Sequence, residues 1–156
     1  METSKLPLPF LPFIVFEKIY EDLDFSDIIN LASCSRRMEN MVFSVTKLAK
    51  KDTFCETLIN QYSRIITVKR EGRKSFIWSS HTERDHRAAD AKVFVDRKMD
   101  EVVWTVSPQP SEWLTIGIND EDTIFWVQYL RELFNCKTAS LSMHIAGKFD
   151  FYKLLV

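Results

Sequence analysis

Apolar residues follow two different periods along the chain. Between residues 12 and 50 they recur at helical spacing. Phe16, Ile19, Tyr20 and Leu23 fall at i, i+3, i+4 and i+7, the stripe of an amphipathic helix. Pro12 suits a first helical position, where its missing N–H costs nothing. Asp24 and Phe25 break the stripe. Ser26 then reads as an N-cap, with Asp27 in the first turn opposing the helix dipole. A short second helix from Asp27 to Ser33 would bury Ile28 and Leu31. Met38, Met41, Val42, Val45 and Leu48 predict a third helix that ends in Lys50 and Lys51.

After residue 55 the period shortens toward two. Tyr62 to Val68 is β-branched and aromatic, Glu71-Gly72 is a turn signal, and Phe76 to Trp78 is a hairpin partner. His81 to Asp90 is polar and reads as a loop. Ala91 to Val95 and Glu101 to Val106 form the next expected strand pair, with Asp96 to Asp100 between them and Pro108 and Pro110 ending it. Trp113 to Ile118 is a further strand. Asp120, Glu121 and Asp122 open a helix over Thr123 to Asn135, with Phe125 or Trp126, Leu130, Leu133 and Phe134 on its inner face. A last strand is expected from Ala139 to Ile145.

The fold class this predicts is α+β. A small three-helix module over residues 6–50 is joined near Lys50 to Cys55 to a mainly antiparallel β region with one helix over residues 56–156. A sheet of that size with one helix leaves a face uncovered. The second region is therefore expected to be incomplete or closed by a partner.

Composition narrows the function classes. The chain has 156 residues, 46% hydrophobic and 28% charged, which supports a packed core rather than disorder. Its net charge of −1 argues against a binder held on nucleic acid by phosphate neutralisation. With only 3 Gly there is no glycine-rich phosphate cradle. Cys34, Cys55 and Cys136 are odd in number and far apart, a pattern of free thiols in a reducing compartment. The apolar run Leu6 to Phe16 is interrupted by Pro7, Pro9 and Pro12 and followed by acids, unlike a signal peptide. No apolar stretch reaches the ~20 residues of a membrane-spanning helix.

Charge is uneven. Glu17, Glu21, Asp22, Asp24 and Asp27 crowd the first helices, whereas Arg36, Arg37, Lys47, Lys50 and Lys51 crowd the third. These are solvated helix faces or a field that steers a partner. The basic stretch 64–98 and the acidic stretch 99–126 are likewise two faces of one sheet or a charged target-binding surface.

The N-terminal text resembles an F-box. The match runs through Leu11-Pro12, the apolar positions Phe16, Ile19 and Tyr20, and the closing Leu23. It continues in Asp27-Ile28-Ile29-Asn30-Leu31 and then Cys34-Ser35-Arg36-Arg37. One departure is that Met38 and Met41 occupy the neighbourhood where many F-boxes carry a Trp. The Arg-Arg-Met-x-x-Met-Val segment is similar to the expanded nematode set of F-box proteins. Trp113, Trp126 to Leu130, and Leu133-Phe134 are similar, more loosely, to its type 2 F-box-associated domain. The resemblance implies a non-catalytic substrate-recognition subunit of an SCF-type ubiquitin ligase, cytoplasmic and/or nuclear. It implies a Skp-family adaptor as partner, a cullin-RING ligase beyond that, and a target protein held by the C-terminal region. No cofactor, metal, membrane or specific nucleic acid is expected. An adaptor or decoy that occupies the Skp subunit without presenting a target is the alternative.

The physics of docking is consistent with this. Leu11, Pro12, Phe16, Ile19, Tyr20, Leu23, Ile28 and Leu31 are more apolar side chains than three short helices can hide among themselves. They are the expected Skp-binding residues. The competing reading makes them core against the C-terminal region. Other constellations are weaker. His81 and His86 lack two further metal ligands. Ser79 or Ser80 with Asp85 and His86 lack the glycines of a nucleophile elbow. Glu101 and Glu112 are ordinary for strand ends, and Pro9-x-x-Pro12 is better explained as a helix start. Trp78, Trp104, Trp113 and Trp126 read as core.

Overall fold

The computed structural model of the chain describes residues 11–48, 52–60, 62–81, 93–117 and 120–144. Three helices come first: α1 (Phe13–Asp22), α2 (Phe25–Ala32) and α3 (Arg36–Leu48). The strands are β1 (Thr53–Asn60), β2 (Ser63–Arg70), β3 (Phe76–His81), β4 (Val95–Met99), β5 (Val102–Gln109) and β6 (Glu112–Ile116). A fourth helix, α4 (Asp120–Leu133), leads into β7 (Cys136–His144). The seven strands make one sheet in the order β4-β5-β6-β3-β2-β1-β7. Among the described strands, only the β3–β6 and β1–β7 pairs are parallel. The fold is α+β, with three consecutive helices ahead of a mainly antiparallel sheet, as the periodicity predicts.

Local chemistry sets the helix starts, and two differ from expectation. Pro12 lies just outside α1 in an extended conformation, and its carbonyl accepts the N–H groups of Val15 (2.9 Å) and Phe16 (3.2 Å). Asp24, not Ser26, is the N-cap position of α2. The helix begins earlier because Phe25 is core: its ring meets Phe134 at 4.9 Å, so the backbone must already be turning there. Ser35 closes the start of α3, where its Oγ accepts the Met38 N–H at 3.2 Å.

Four strand assignments also change. Within the expected junction at Lys50 to Cys55, residues 53–55 already belong to strand β1. Its inward positions are Thr53, Cys55, Thr57 and Ile59, so the buried face is mostly small and polar and leaves little apolar alternation to read. The expected turn at Asp96 to Asp100 is instead mostly strand β4. Met99 pairs with Val102 across a two-residue turn, Asp100-Glu101, with both φ values positive at 45° and 68°. That is a tight hairpin built without the Gly or Asn that normally announces one. Pro108 falls within β5, opposite Trp113, rather than ending it. The last strand starts at Cys136, ahead of the expected Ala139. The expected features at residues 6–10, 49–51, 82–92, 118–119 and 145–156 lie outside the described residues.

One core joins the helices to the sheet. Ile66, Val68, Phe76, Trp78 and Trp113 line the face on which α4 lies. Trp126 of α4 is fully buried, with ring centroids 5.4 Å from Trp78, 5.3 Å from Trp104 and 6.3 Å from Trp113. Trp104 is only half-buried; the other three are core. The indole N–H of all four has no acceptor, so ring contact and apolar burial hold this cluster. Leu130, Leu133 and Phe134 complete the inner side of α4. Helices α1–α3 pack beside it through the Phe25–Phe134 contact and through Phe43, whose ring meets Tyr129 at 5.9 Å. The opposite face of the sheet carries Phe54 and Ile116, both exposed, with Leu58, Ile65 and Ile77 half-buried between them.

Candidate docking site

The first turn of α1 protrudes from the core. Phe13, Ile14 and Val15 are 43%, 64% and 39% exposed, and Pro12 before them is exposed too. The reason is angular. Phe16 and Tyr20, four residues apart, point inward on one stripe, and the three residues before Phe16 sweep around the rest of the helix. Tyr20 is fixed further by Thr46 of α3, whose buried hydroxyl donates to the phenol oxygen at 2.8 Å.

This divides the eight expected docking residues. Phe16, Tyr20 and Ile28 are interior, at 0%, 2% and 0% exposure, and present no surface to a partner. They pack within the core that α1–α3 share. Leu11, Ile19, Leu23 and Leu31 are half-buried, and Pro12 is exposed. The apolar surface that does face out at α1, Phe13 to Val15, was hidden from sequence reasoning, since helical spacing identifies a stripe but a fully apolar turn has no outer side to identify.

A shallow groove of about 460 Å³ runs between α1 and α3, lined by Phe13, Arg36, Arg37, Asn40, Met41 and Ser44. The two methionines at the departure from the F-box pattern therefore do different work. Met38 is core at 3% exposure, and Met41 lies on the groove.

The rim of this groove is tied to the sheet by a buried carboxylate. Glu39 is 2% exposed. It accepts Arg36 Nη1 at 2.7 Å, the Asp100 backbone N–H at 2.8 Å and the Tyr129 hydroxyl at 2.9 Å. Three elements thus meet on one side chain: α3, the β4–β5 turn and α4. Burial, and then the adjacent Glu39 charge, push the Tyr129 phenol well above its ordinary range. Hydrogen bonds to Asp100 and Glu39 hold the exposed Arg36 guanidinium above its usual value. The sequence signal for Glu39 was weak. Arg36 and Glu39 at i, i+3 look like a surface ion pair.

A second tie holds the far end of α1. Arg73, in the β2–β3 turn, donates through Nη2 to the carbonyls of Glu21 (2.5 Å) and Tyr20 (3.3 Å) at the helix terminus, the Tyr20 carbonyl also accepting the Leu23 N–H at 3.2 Å. Its guanidinium lies 5.9 Å from the centroids of both Tyr20 and Phe25. Desolvation, and then Arg70, lower the Arg73 pKa.

Ser79 Oγ donates to Glu112 Oε1 at 2.6 Å, and Ser80 Oγ donates to the Gly117 carbonyl. Asp85 and His86 lie outside the described residues. The described residues hold no group of three or more His, Cys, Asp or Glu side chains able to hold a metal ion, and no helix long and apolar enough to cross a membrane. No protein-family model, no curated protein and no solved structure matches the chain.

Proposed function

We propose that this chain is a non-catalytic adaptor. Its N-terminal helices dock on a Skp-family subunit of a cullin-RING ubiquitin ligase, and its sheet region binds a target protein. The observation that carries this reading is the exposed apolar first turn of α1. Three consecutive large apolar residues on a helix otherwise well anchored by Phe16 and Tyr20 are a surface for a partner, not for water. It directly follows Leu11-Pro12, where the F-box resemblance begins. The docking surface is Leu11, Pro12, Phe13, Ile14, Val15 and Ile19, flanked by the α1–α3 groove. Burying what these first-turn residues leave exposed is worth roughly 2–4 kcal/mol before association costs.

The test pairs binding with folding. Phe13→Ser combined with Ile14→Asp changes exposed positions only, so the melting temperature stays within about 2 °C of wild type. Affinity for a purified Skp-family subunit, read by calorimetry, falls at least about tenfold. Unchanged affinity in the folded double variant removes the docking assignment. Ubiquitylation of a co-purified target in a reconstituted ligase separates a presenting adaptor from a decoy.

A further inference from the structure

The sheet ends on two edge strands of different character, β4 on one side and β7 on the other. β4 is 5 residues long and carries Asp96, Arg97 and Lys98 in succession, charges of the kind that keep a foreign strand from pairing. β7 is 9 residues long, and from Thr138 to Met143 it holds no charge, no Pro and no Gly. One side of its backbone pairs with β1 in parallel, from Thr53 opposite Cys136 to Asn60 opposite His144. No described strand lies on its other side, where the alternate N–H and C=O groups of an edge strand point. Ser140 and Ser142, opposite Glu56 and Leu58, are exposed on the outer face. Leu141 and Met143, opposite buried Thr57 and Ile59, are half-buried at the margin of the core.

We propose that β7 is a self-association edge whose partner is β7 of a second copy of this chain, paired antiparallel about a two-fold axis at Leu141. A two-fold axis sets residue i opposite residue j and j opposite i, so the strand must be complementary to itself. About Leu141 it is. Ser140 falls opposite Ser142 twice, a hydroxyl pair on the exposed face. Ala139 falls opposite Met143 twice, a small residue against a large one, and Leu141 falls opposite its own copy. No position from Thr138 to Met143 sets a charge against its like. The same operation fails on β4: centred on Asp96, Arg97 or Lys98, it sets that charge against its own copy. With the axis perpendicular to the sheet, each face keeps its side. The half-buried Leu141 and Met143 are then covered by the same stretch of the second copy, and the open backbone groups gain a ladder. One continuous sheet spans both copies.

Sedimentation velocity on the full chain tests this. Wild type is expected to sediment as a dimer at about 50 µM and to dissociate on roughly hundredfold dilution. Ser140→Lys combined with Ser142→Lys sets like charges face to face at two exposed positions and is expected to give a monomer with an unchanged circular-dichroism spectrum. Ser140→Lys combined with Ser142→Glu sets opposite charges face to face and is expected to restore the dimer. The proposal is overturned if wild type stays monomeric at about 200 µM. It is overturned equally if the paired lysines leave the dimer intact, or if Ser142→Glu fails to restore it. Hydrogen exchange on the wild type separates the remaining occupant: a monomer whose β7 amides are all protected has its edge covered by its own chain, which also overturns the proposal. The measurement contains no Skp-family subunit, so its outcome leaves the docking assignment untouched.

Discussion

Glu39→Ala deletes an acceptor that three donors share. The residue is 2% exposed, so water does not freely replace what is lost. The Tyr129 hydroxyl, 5% exposed as a residue, loses its partner at 2.9 Å, and the Asp100 N–H loses its partner at 2.8 Å. Each donor stranded away from water costs about 1–3 kcal/mol. Arg36 adds little, because its side chain is 51% exposed and keeps Asp100 at 3.1 Å. The summed cost is roughly 3–5 kcal/mol, and for a chain of this length that is a fall in melting temperature of about 8–15 °C. Glu39→Gln keeps an amide oxygen of similar reach for both Tyr129 and Asp100 and gives up the charge and the exposed Arg36 bond to Oε2, so it should cost about 1 kcal/mol. Thermal and urea melts followed by circular dichroism measure both variants. A double-mutant cycle with Tyr129→Phe should return a coupling of at least about 1 kcal/mol. If alanine costs less than about 1 kcal/mol, or glutamine costs as much as alanine, the shared-acceptor argument is wrong.

Tyr129 links the same site to pH. Its folded pKa lies above the unfolded value of about 10, so the neutral phenol is favoured in the fold. Its contribution is fully present below about pH 10 and is lost as the pH rises beyond it, and pH-jump melts should show an alkaline fall that Tyr129→Phe flattens. Trp126→Ala removes the ring at the centre of the tryptophan cluster and should cost about 3–5 kcal/mol, measured as a lowered urea midpoint with an unchanged slope. Glu101→Gly relieves a non-glycine residue at φ 68°, where an added Cβ is disfavoured. It should raise stability by about 0.5–1 kcal/mol in the same melts, the lost Lys98 pair being too exposed to matter.

The legible parts of this fold were those encoded by local repetition. Phe16 and Tyr20, or Leu130 and Leu133, mark a helix face because a 3.6-residue period needs only a few turns of chain to show itself. The order of three helices, strands, one helix and a final strand follows from that signal. Strand β1 did not announce itself, because its inward Thr53, Cys55 and Thr57 are small or polar residues that leave no hydrophobic stripe to read. The Asp100-Glu101 turn was missed for a related reason. Its left-handed backbone is imposed by the pairing of Met99 with Val102 and by Glu39 holding the Asp100 N–H. Sequence alone therefore determined the fold class, the order of elements and the presence of an apolar surplus in the N-terminal helices. Only the tertiary structure decided how that surplus divides. Phe16, Tyr20 and Ile28 go inside and Phe13, Ile14 and Val15 stay outside, because burial depends on which other elements pack against a helix, and a helix's own apolar spacing does not carry that information.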